Sequence, residues 1–177
     1  MSSAPVLHTE RLVLRGHGLQ HFDAYLAMMQ DLEVMRFITG TSTPREQVWA
    51  RLLRYPGTWT LFGYGMWVIE DRLTGRFLGQ AGFLASRRDM QPSTEGTMEV
   101  GWLLSREAQG RGLATEAVSA ALGWADAQFP AERVTCIIDP QNAPSLNVAA
   151  KLGFVEQART LYHDEPIILF ERSRSTS

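Results

Sequence analysis

The chain has 177 residues, 45% of them hydrophobic, and a formal charge of −2 from 17 basic and 19 acidic side chains. This length fits a single domain over residues 1–177, and the small negative charge argues against a general nucleic-acid or membrane-surface binder. No apolar run reaches the ~20 residues that cross a bilayer, and the N-terminus lacks the pattern of a signal peptide. We therefore expect a soluble, cytoplasmic protein.

The first half of the chain predicts a strand, two helices and a β-hairpin. The predicted elements are a strand over 11–15, a helix over 19–29, a second helix that starts near 43, and hairpin strands over 66–70 and 77–84. The second helix carries two start signals: Thr43 can cap free N–H groups while Glu46 reaches back, and Pro44 suits the first helical position.

The second half alternates strands with helices. We predict a strand over 97–104, a helix over 113–129, a strand over 133–138, a helix over 145–152, and strands over 154–161 and 167–171. The helix over 113–129 has alanines at three- and four-residue spacing, which indicates a close approach to a sheet. The order predicts a mixed α/β (α+β) domain whose sheet is antiparallel first and parallel around this helix.

Cys136 is the only cysteine, so no disulfide can form within the chain. It lies in the apolar run over 134–138 without a basic neighbour in sequence, which favours a buried core thiol over a nucleophile. No cluster of His and Cys residues has metal-ligand spacing, so we expect no metal site.

The loop between the strand over 97–104 and the helix over 113–129 contains Gly110 and Gly112. The first N–H groups of a helix have no internal partner and carry partial positive charge, so they bind anions. Glycines let the backbone approach phosphate oxygens closely, because no Cβ intervenes. The alternative is structural: the two glycines ease a tight turn from strand to helix.

Three ordered motifs carry a family resemblance. Gln109, Gly112 and Ala114 form a Q-x-x-G-x-A pattern, an N-x-x-S…K-x-G-F pattern covers 142–154, and residues 9–15 form the first strand. Together they resemble the GCN5-related N-acetyltransferases, in the branch of ribosomal-protein N-terminal acetyltransferases (RimJ/RimL-like). The resemblance implies a twisted, mostly antiparallel central sheet with splayed parallel strands and flanking helices. It spans roughly the whole chain.

The resemblance also implies acetyl-CoA as co-substrate and a set of cofactor-binding residues. Pyrophosphate is expected on the loop and helix start, at Gln109, Gly110, Arg111, Gly112, Leu113, Ala114 and Thr115. Pantetheine is expected along the backbone of Trp102, Leu103 and Leu104, with Asn142, Ser145 and Lys151 nearby. Asn142 bonds a pantetheine amide, caps its helix, or does both. Arg106, Arg111 and Lys151 are the candidate phosphate cations.

Two residues are candidates for proton transfer. Glu99 interrupts an apolar strand and is the candidate base for the amine; its alternatives are exposure to solvent or pairing with an arginine. Many relatives place a tyrosine acid where this chain has Ala149. Ser145 is the substitute that we favour for protonating the thiolate, although its hydroxyl could instead cap the helix. Tyr162 is a weaker alternative acid.

The acceptor side is less defined by the sequence. The aromatic and glycine-rich segment Tyr55–Gly65 is predicted as a mobile cleft wall, or else as ordinary packing. The hypothesis is acetyl transfer to a primary amine, either a peptide N-terminus or a small molecule. A non-catalytic acyl-CoA-binding sensor is the alternative. The strand over 167–171 is a candidate sheet edge through which a homodimer could form.

Overall fold

The computed structural model describes residues 4–172, whose strands form one eight-stranded sheet in the order β1-β2-β3-β4-β5-β6-β8-β7. The strands are β1 (Leu7–His8), β2 (Leu12–Gly16), β3 (Met66–Asp71), β4 (Phe77–Leu84), β5 (Met98–Leu104), β6 (Val134–Ile138), β7 (Phe154–Tyr162) and β8 (Glu165–Arg172). The helices are α1 (Phe22–Gln30), α2 (Leu32–Met35), α3 (Arg45–Phe62), α4 (Leu113–Gln128) and α5 (Ala143–Lys151). Short 3₁₀ turns cover Leu19–His21 and Arg106–Ala108.

Helices cover both faces of the sheet. On one face, Ala117, Ala121 and Ala125 of α4 are fully buried against β2, β4 and β5. These small side chains allow the close approach that their spacing predicted. On the other face, α1 and α3 build a second cluster that includes Tyr25 and Leu52. Within residues 4–172, no helix is both long and apolar enough to cross a membrane.

The pairing of the strands confirms the predicted mixed sheet. Each neighbouring pair is antiparallel except β5 with β6, and the hairpin of β3 and β4 lies where the alternating pattern predicted it. The parallel pair is registered only at Met98 with Val134 and at Glu99 with Thr135. Beyond this point no residues of β5 and β6 pair, which shows that the two strands separate. The predicted splayed strands are therefore confirmed.

Helix α3 corrects one prediction. It begins at Arg45, and its capping position is Pro44 without a side-chain bond, so the predicted cap by Thr43 is wrong. It continues to Phe62 with Pro56 inside, so most of the segment Tyr55–Gly65 is helical, and its role as a mobile cleft wall stays a prediction. Buried Trp59 stabilises this turn by packing on two other tryptophans, at ring centroid distances of 4.7 and 5.5 Å. Tertiary packing here outweighs the cost of an internal proline.

The predicted dimerisation edge is a further correction. Strand β8 pairs with β6 on one side and with β7 on the other. Both rows of its backbone hydrogen-bonding groups thus face neighbours within the chain, and the outer strand on this side is β7. The strand over 167–171 therefore offers no free edge to a second copy of the chain.

Candidate active site

The loop before α4 has the geometry of an anion cradle. Gly110 and Gly112 have φ values of 71° and 75°, in the left-handed region that favours glycine. A Cβ at Gly110 would meet nothing within 4 Å, so the backbone there is open on its outer side. Within residues 4–172, no protein acceptor is recorded for the N–H groups of Leu113, Ala114 and Thr115. Their shared direction along the helix axis leaves three donors for an anion.

Side chains hold this loop from both ends. Gln109 Nε2 donates to the Leu104 carbonyl at the end of β5, at 3.0 Å. Arg11 Nη1 donates to the Arg111 carbonyl at 2.9 Å, and Arg11 Nε lies 2.7 Å from a carboxylate oxygen of Glu116. Glu116 also accepts from the Thr9 hydroxyl at 2.6 Å. The N-terminal segment thus positions the first turn of α4, which the sequence did not indicate.

The three candidate phosphate cations have different surroundings. Arg106 forms an ion pair with Asp31, with Nη2 2.5 Å from Oδ1. This contact lowers the pKa of Asp31 and raises that of Arg106. The Arg111 and Lys151 side chains are exposed, and Lys151 lies in the last turn of α5. Arg111 adjoins the glycines of the loop, so it is the cation nearest to the cradle in sequence.

The separated strands expose one edge of β5. Met98 donates its backbone N–H to the Arg133 carbonyl before β6, whereas Ser105 donates to Leu78 on the side of β4. Since strand backbone groups alternate in direction, those of Trp102 and Leu104 face the gap. The backbone of Leu103 faces β4, and its side chain packs against the α1–α3 cluster. The free edge is thus formed by alternate residues.

Helix α5 follows β6, the strand on the other side of the gap. Asn142 caps it, since its Oδ1 accepts from the Ser145 backbone N–H at 3.2 Å. This confirms the capping role of Asn142, and the alternative in which the Ser145 hydroxyl is the cap is wrong. Ser145 is partly exposed in the first turn, whereas Ala149 is fully buried in the core. The place of the usual tyrosine is therefore filled by packed protein.

Glu99 lies at the point where the gap begins. Its carboxylate is buried and accepts two bonds from Arg88, from Nε at 2.7 Å and from Nη2 at 2.5 Å. The guanidinium carbon of Arg88 lies 4.9 Å from the centroid of the Tyr162 ring. Burial opposes the charge of Arg88, but the contact with Glu99 outweighs it and raises the Arg88 pKa. The structure thus shows the arginine pairing that was the alternative for Glu99.

Two glycines lie side by side next to Glu99 in the sheet. Gly101 on β5 pairs with Gly82 on β4, and the pair is flanked by Glu99 opposite Leu84 at one end and by Leu103 opposite Gln80 at the other. Residues two apart on a strand share a face. On this face, on the side of α1 and α3, Gly82 is buried, and Gly101 is partly exposed beside the Leu84 side chain.

Gln80 anchors a buried chain of hydroxyl groups. Tyr55 donates to Gln80 Oε1 at 3.0 Å, and the hydroxyls of Tyr25 and Tyr55 lie 2.8 Å apart. Burial raises the pKa of both phenols, so both keep their protons at neutral pH. Sequence reasoning missed Gln80, although a glutamine in an apolar strand was the available signal. It also missed Arg88, which lies in a polar loop that offers no such signal.

Cys136 has no evident role in the gap. Cys136 is buried, and its pKa is raised by burial and by the charge of Glu99, which confirms the core thiol. Within the described range 4–172, no group of three or more His, Cys, Asp or Glu residues is arranged to hold a metal ion.

Known proteins share this architecture. The family model of the acetyltransferase (GNAT) domain matches residues 11–155. The chain belongs to the GNAT family. The Bacillus subtilis protein YkkB is 34% identical over 113 residues, which cover 63% of this chain and 62% of YkkB. A solved structure from Bordetella pertussis, assigned to the GnaT acetyltransferases, is 32% identical with a TM-score of 0.85, over 96% of this chain and 99% of that chain.

A ribosomal-protein acetyltransferase of known structure has the same fold. The ribosomal-protein-S5-alanine acetyltransferase from Vibrio fischeri has a TM-score of 0.76 over 97% of this chain and 98% of that chain. At 20% identity this likeness shows the fold alone.

Proposed function

We propose that this GNAT protein transfers an acetyl group from acetyl-CoA to the primary amine of a peptide N-terminus or a small molecule. The observation that carries the proposal is the open edge of β5 next to the three unpartnered N–H groups of α4. A strand edge suits an extended pantetheine arm with amide groups, and a helix start suits its pyrophosphate. Membership of the GNAT family supports the same donor.

Different residues would hold different parts of the co-substrate. Backbone N–H groups of the loop and of Leu113–Thr115 would hold the pyrophosphate, with Arg111 as the adjacent cation. Trp102 and Leu104 would offer backbone groups to pantetheine. Because the Leu104 carbonyl accepts from Gln109, Trp102 retains both its donor and its acceptor. Leu103 would line the floor through its side chain.

Acetyl-CoA supplies an acetyl group activated as a thioester. The acceptor nitrogen forms the new C–N bond as the C–S bond breaks, so the amine must lose a proton and the thiolate must gain one. Glu99 is our candidate base, acting directly or through a water, because a carboxylate has about four acceptor positions and Arg88 occupies two. A backbone N–H beside the gap, at Trp102 or Leu104, would stabilise the charge that develops on the carbonyl oxygen.

Ser145 is our candidate acid for the thiolate. Its backbone N–H bonds to Asn142, whereas its hydroxyl has no recorded partner within residues 4–172. A partly exposed hydroxyl at the gap wall can donate to a sulfur, as a tyrosine does in many relatives. Tyr162 is the weaker candidate, since its ring already packs under Arg88.

A second function, a non-catalytic acyl-CoA sensor, rests on two observations. Ala149 is fully buried where relatives have an acid, and both oxygens of Glu99 are bonded to Arg88. To separate the two functions, the protein is incubated with acetyl-CoA and a panel of amino acids, polyamines and short peptides while thiol release is followed. Turnover of any amine above the rate without amine supports the enzyme. Coenzyme A binding by calorimetry without turnover supports the sensor, and no binding contradicts both.

Glu99→Gln tests the base within the enzyme hypothesis. We expect kcat to fall about 100-fold or more, since general-base catalysis contributes a factor of that order. Glu95→Gln, in the exposed part of the preceding loop, is the control. A pH profile that Glu99→Gln leaves unchanged would remove Glu99 as the base. The kcat of Ser145→Ala is measured in the same way to test Ser145 as the acid.

A further inference from the structure

Arg88 has an edge that its ion pair does not use. A guanidinium presents two forked edges, and Glu99 occupies the one formed by Nε and Nη2. The second edge, formed by Nη1 and Nη2, has no carboxylate partner within residues 4–172, and the Tyr162 side chain is a further hydrogen-bonding neighbour of the same guanidinium. The side chain of Arg88 is 19% exposed, so part of the group remains open to solvent.

The orientation of this guanidinium is held by its neighbours. Glu99 fixes it along one edge, and the Tyr162 ring packs against it at 4.9 Å from the centroid. The three residues come from the loop after β4, the start of β5 and the end of β7. A planar cation held in this way loses little rotational freedom when it binds a planar anion.

We infer that Arg88 is a specificity-determining residue that binds a carboxylate of the acceptor, so that the preferred acceptor is an α-amino acid or a similar small amino acid. The inference rests on the proposed function. An amino acid carries an ammonium group and a carboxylate a few ångströms apart, and the Glu99–Arg88 pair carries the complementary charges. The amine lies toward Glu99 beside the partly exposed Gly101, and the carboxylate lies on the second edge of Arg88.

The charge of the acceptor distinguishes an amino acid from a polyamine and from a peptide. A polyamine has cations only, and it would bring them beside a guanidinium whose raised pKa keeps it charged. The N-terminal residue of a peptide has lost its carboxylate to the first amide bond. Either acceptor leaves the free edge of Arg88 without an anion.

The experiment compares matched pairs of acceptors. Each of the L-amino acids is paired with its carboxamide, spermidine and tetrapeptides are added, and kcat and KM are measured by thiol release. We expect the best amino acid to exceed its amide by about tenfold or more in kcat/KM, because a charge-assisted bidentate contact is lost. In Arg88→Gln this ratio should fall toward one through a rise in the KM of the amino acid, whereas Arg87→Gln, at an exposed neighbour, should retain it.

Two measurements keep the inference separate from the proposed function and from folding. Binding of the amino acid and of its amide to the complex with coenzyme A is measured by calorimetry, which needs no turnover. The double variant Arg88→Gln/Glu99→Gln removes both charges at once, so no buried charge is left unpaired. The inference is overturned if amides, spermidine or tetrapeptides bind as tightly as amino acids. It is also overturned if the preference for the carboxylate survives in both Arg88 variants.

Discussion

His17, directly after β2, makes the stability of this protein depend on pH. Its ring stacks on Tyr55 at a centroid distance of 4.2 Å, and both of its ring nitrogens are buried without a hydrogen-bond partner. Burial, together with the nearby His21, lowers the His17 pKa from 6.5 to about 3. The folded protein therefore keeps this histidine neutral, whereas the unfolded chain protonates it below pH 6.5.

The sign and the size of the effect follow from these two pKa values. Between them the unfolded state binds the extra proton, so the free energy of unfolding decreases as the pH falls from 6.5 toward 3. Each pH unit in this window removes up to ~1.4 kcal/mol. At pH 5 the contribution of His17 is thus a loss of about 2 kcal/mol relative to neutral pH.

Urea unfolding followed by tryptophan fluorescence measures this loss at pH 7.5 and pH 5. His17→Phe retains a ring on Tyr55, removes the titration and breaks no recorded hydrogen bond. We expect the wild type to lose about 2 kcal/mol more than this variant between the two pH values. His8→Gln, at an exposed histidine, should behave as the wild type does. Equal pH dependence in the wild type and in His17→Phe would refute the reasoning.

Three further predictions concern the gap and its walls. Gly112→Ala places a side chain at φ 75°, which strains the loop before α4 by ~1 kcal/mol or more. We therefore expect calorimetry to show several-fold weaker coenzyme A binding, and an unchanged affinity would contradict phosphate binding at this loop. Ala149→Tyr should lower the free energy of unfolding by ~1–3 kcal/mol without raising kcat, because the site is fully buried; a faster, stable variant would contradict this. Cys136 is buried and its pKa is raised, so iodoacetamide at pH 8 should alkylate it only after the protein is unfolded in urea. Mass spectrometry that finds the modification in the folded protein would contradict the buried position of Cys136.

Local patterns predicted the elements that depend on local chemistry. The alanine spacing of α4, the glycines at 110 and 112, and the cap at Asn142 each follow from neighbours within a few residues in sequence. A helix start with unpartnered N–H groups is a property of the backbone, so it was predictable without the rest of the fold. The predicted cofactor contacts themselves stay predictions.

Non-local packing decided the places where local patterns failed. The aromatic and glycine-rich segment Tyr55–Gly65 was not predicted as a helix, but burial of Trp59 against two tryptophans from β3 and α4 keeps it helical as far as Phe62. The strand over 167–171 looked like a terminal edge because it comes last in sequence. It lies inside the sheet because β8 turns back from β7, pairs with it along one side and pairs with β6 along the other.

The sequence by itself determined where free backbone N–H groups lie, since the first turn of a helix leaves its N–H groups without internal partners whatever lies around them. Only the tertiary structure decided the surroundings of Glu99. Its partner Arg88 comes from an irregular loop, and Tyr162 comes from the far end of β7. Long side chains from three separate segments meet there, and their meeting depends on the register of the whole sheet. The strand pattern predicted the position of Glu99 in the sheet, but it did not identify Arg88 as its partner.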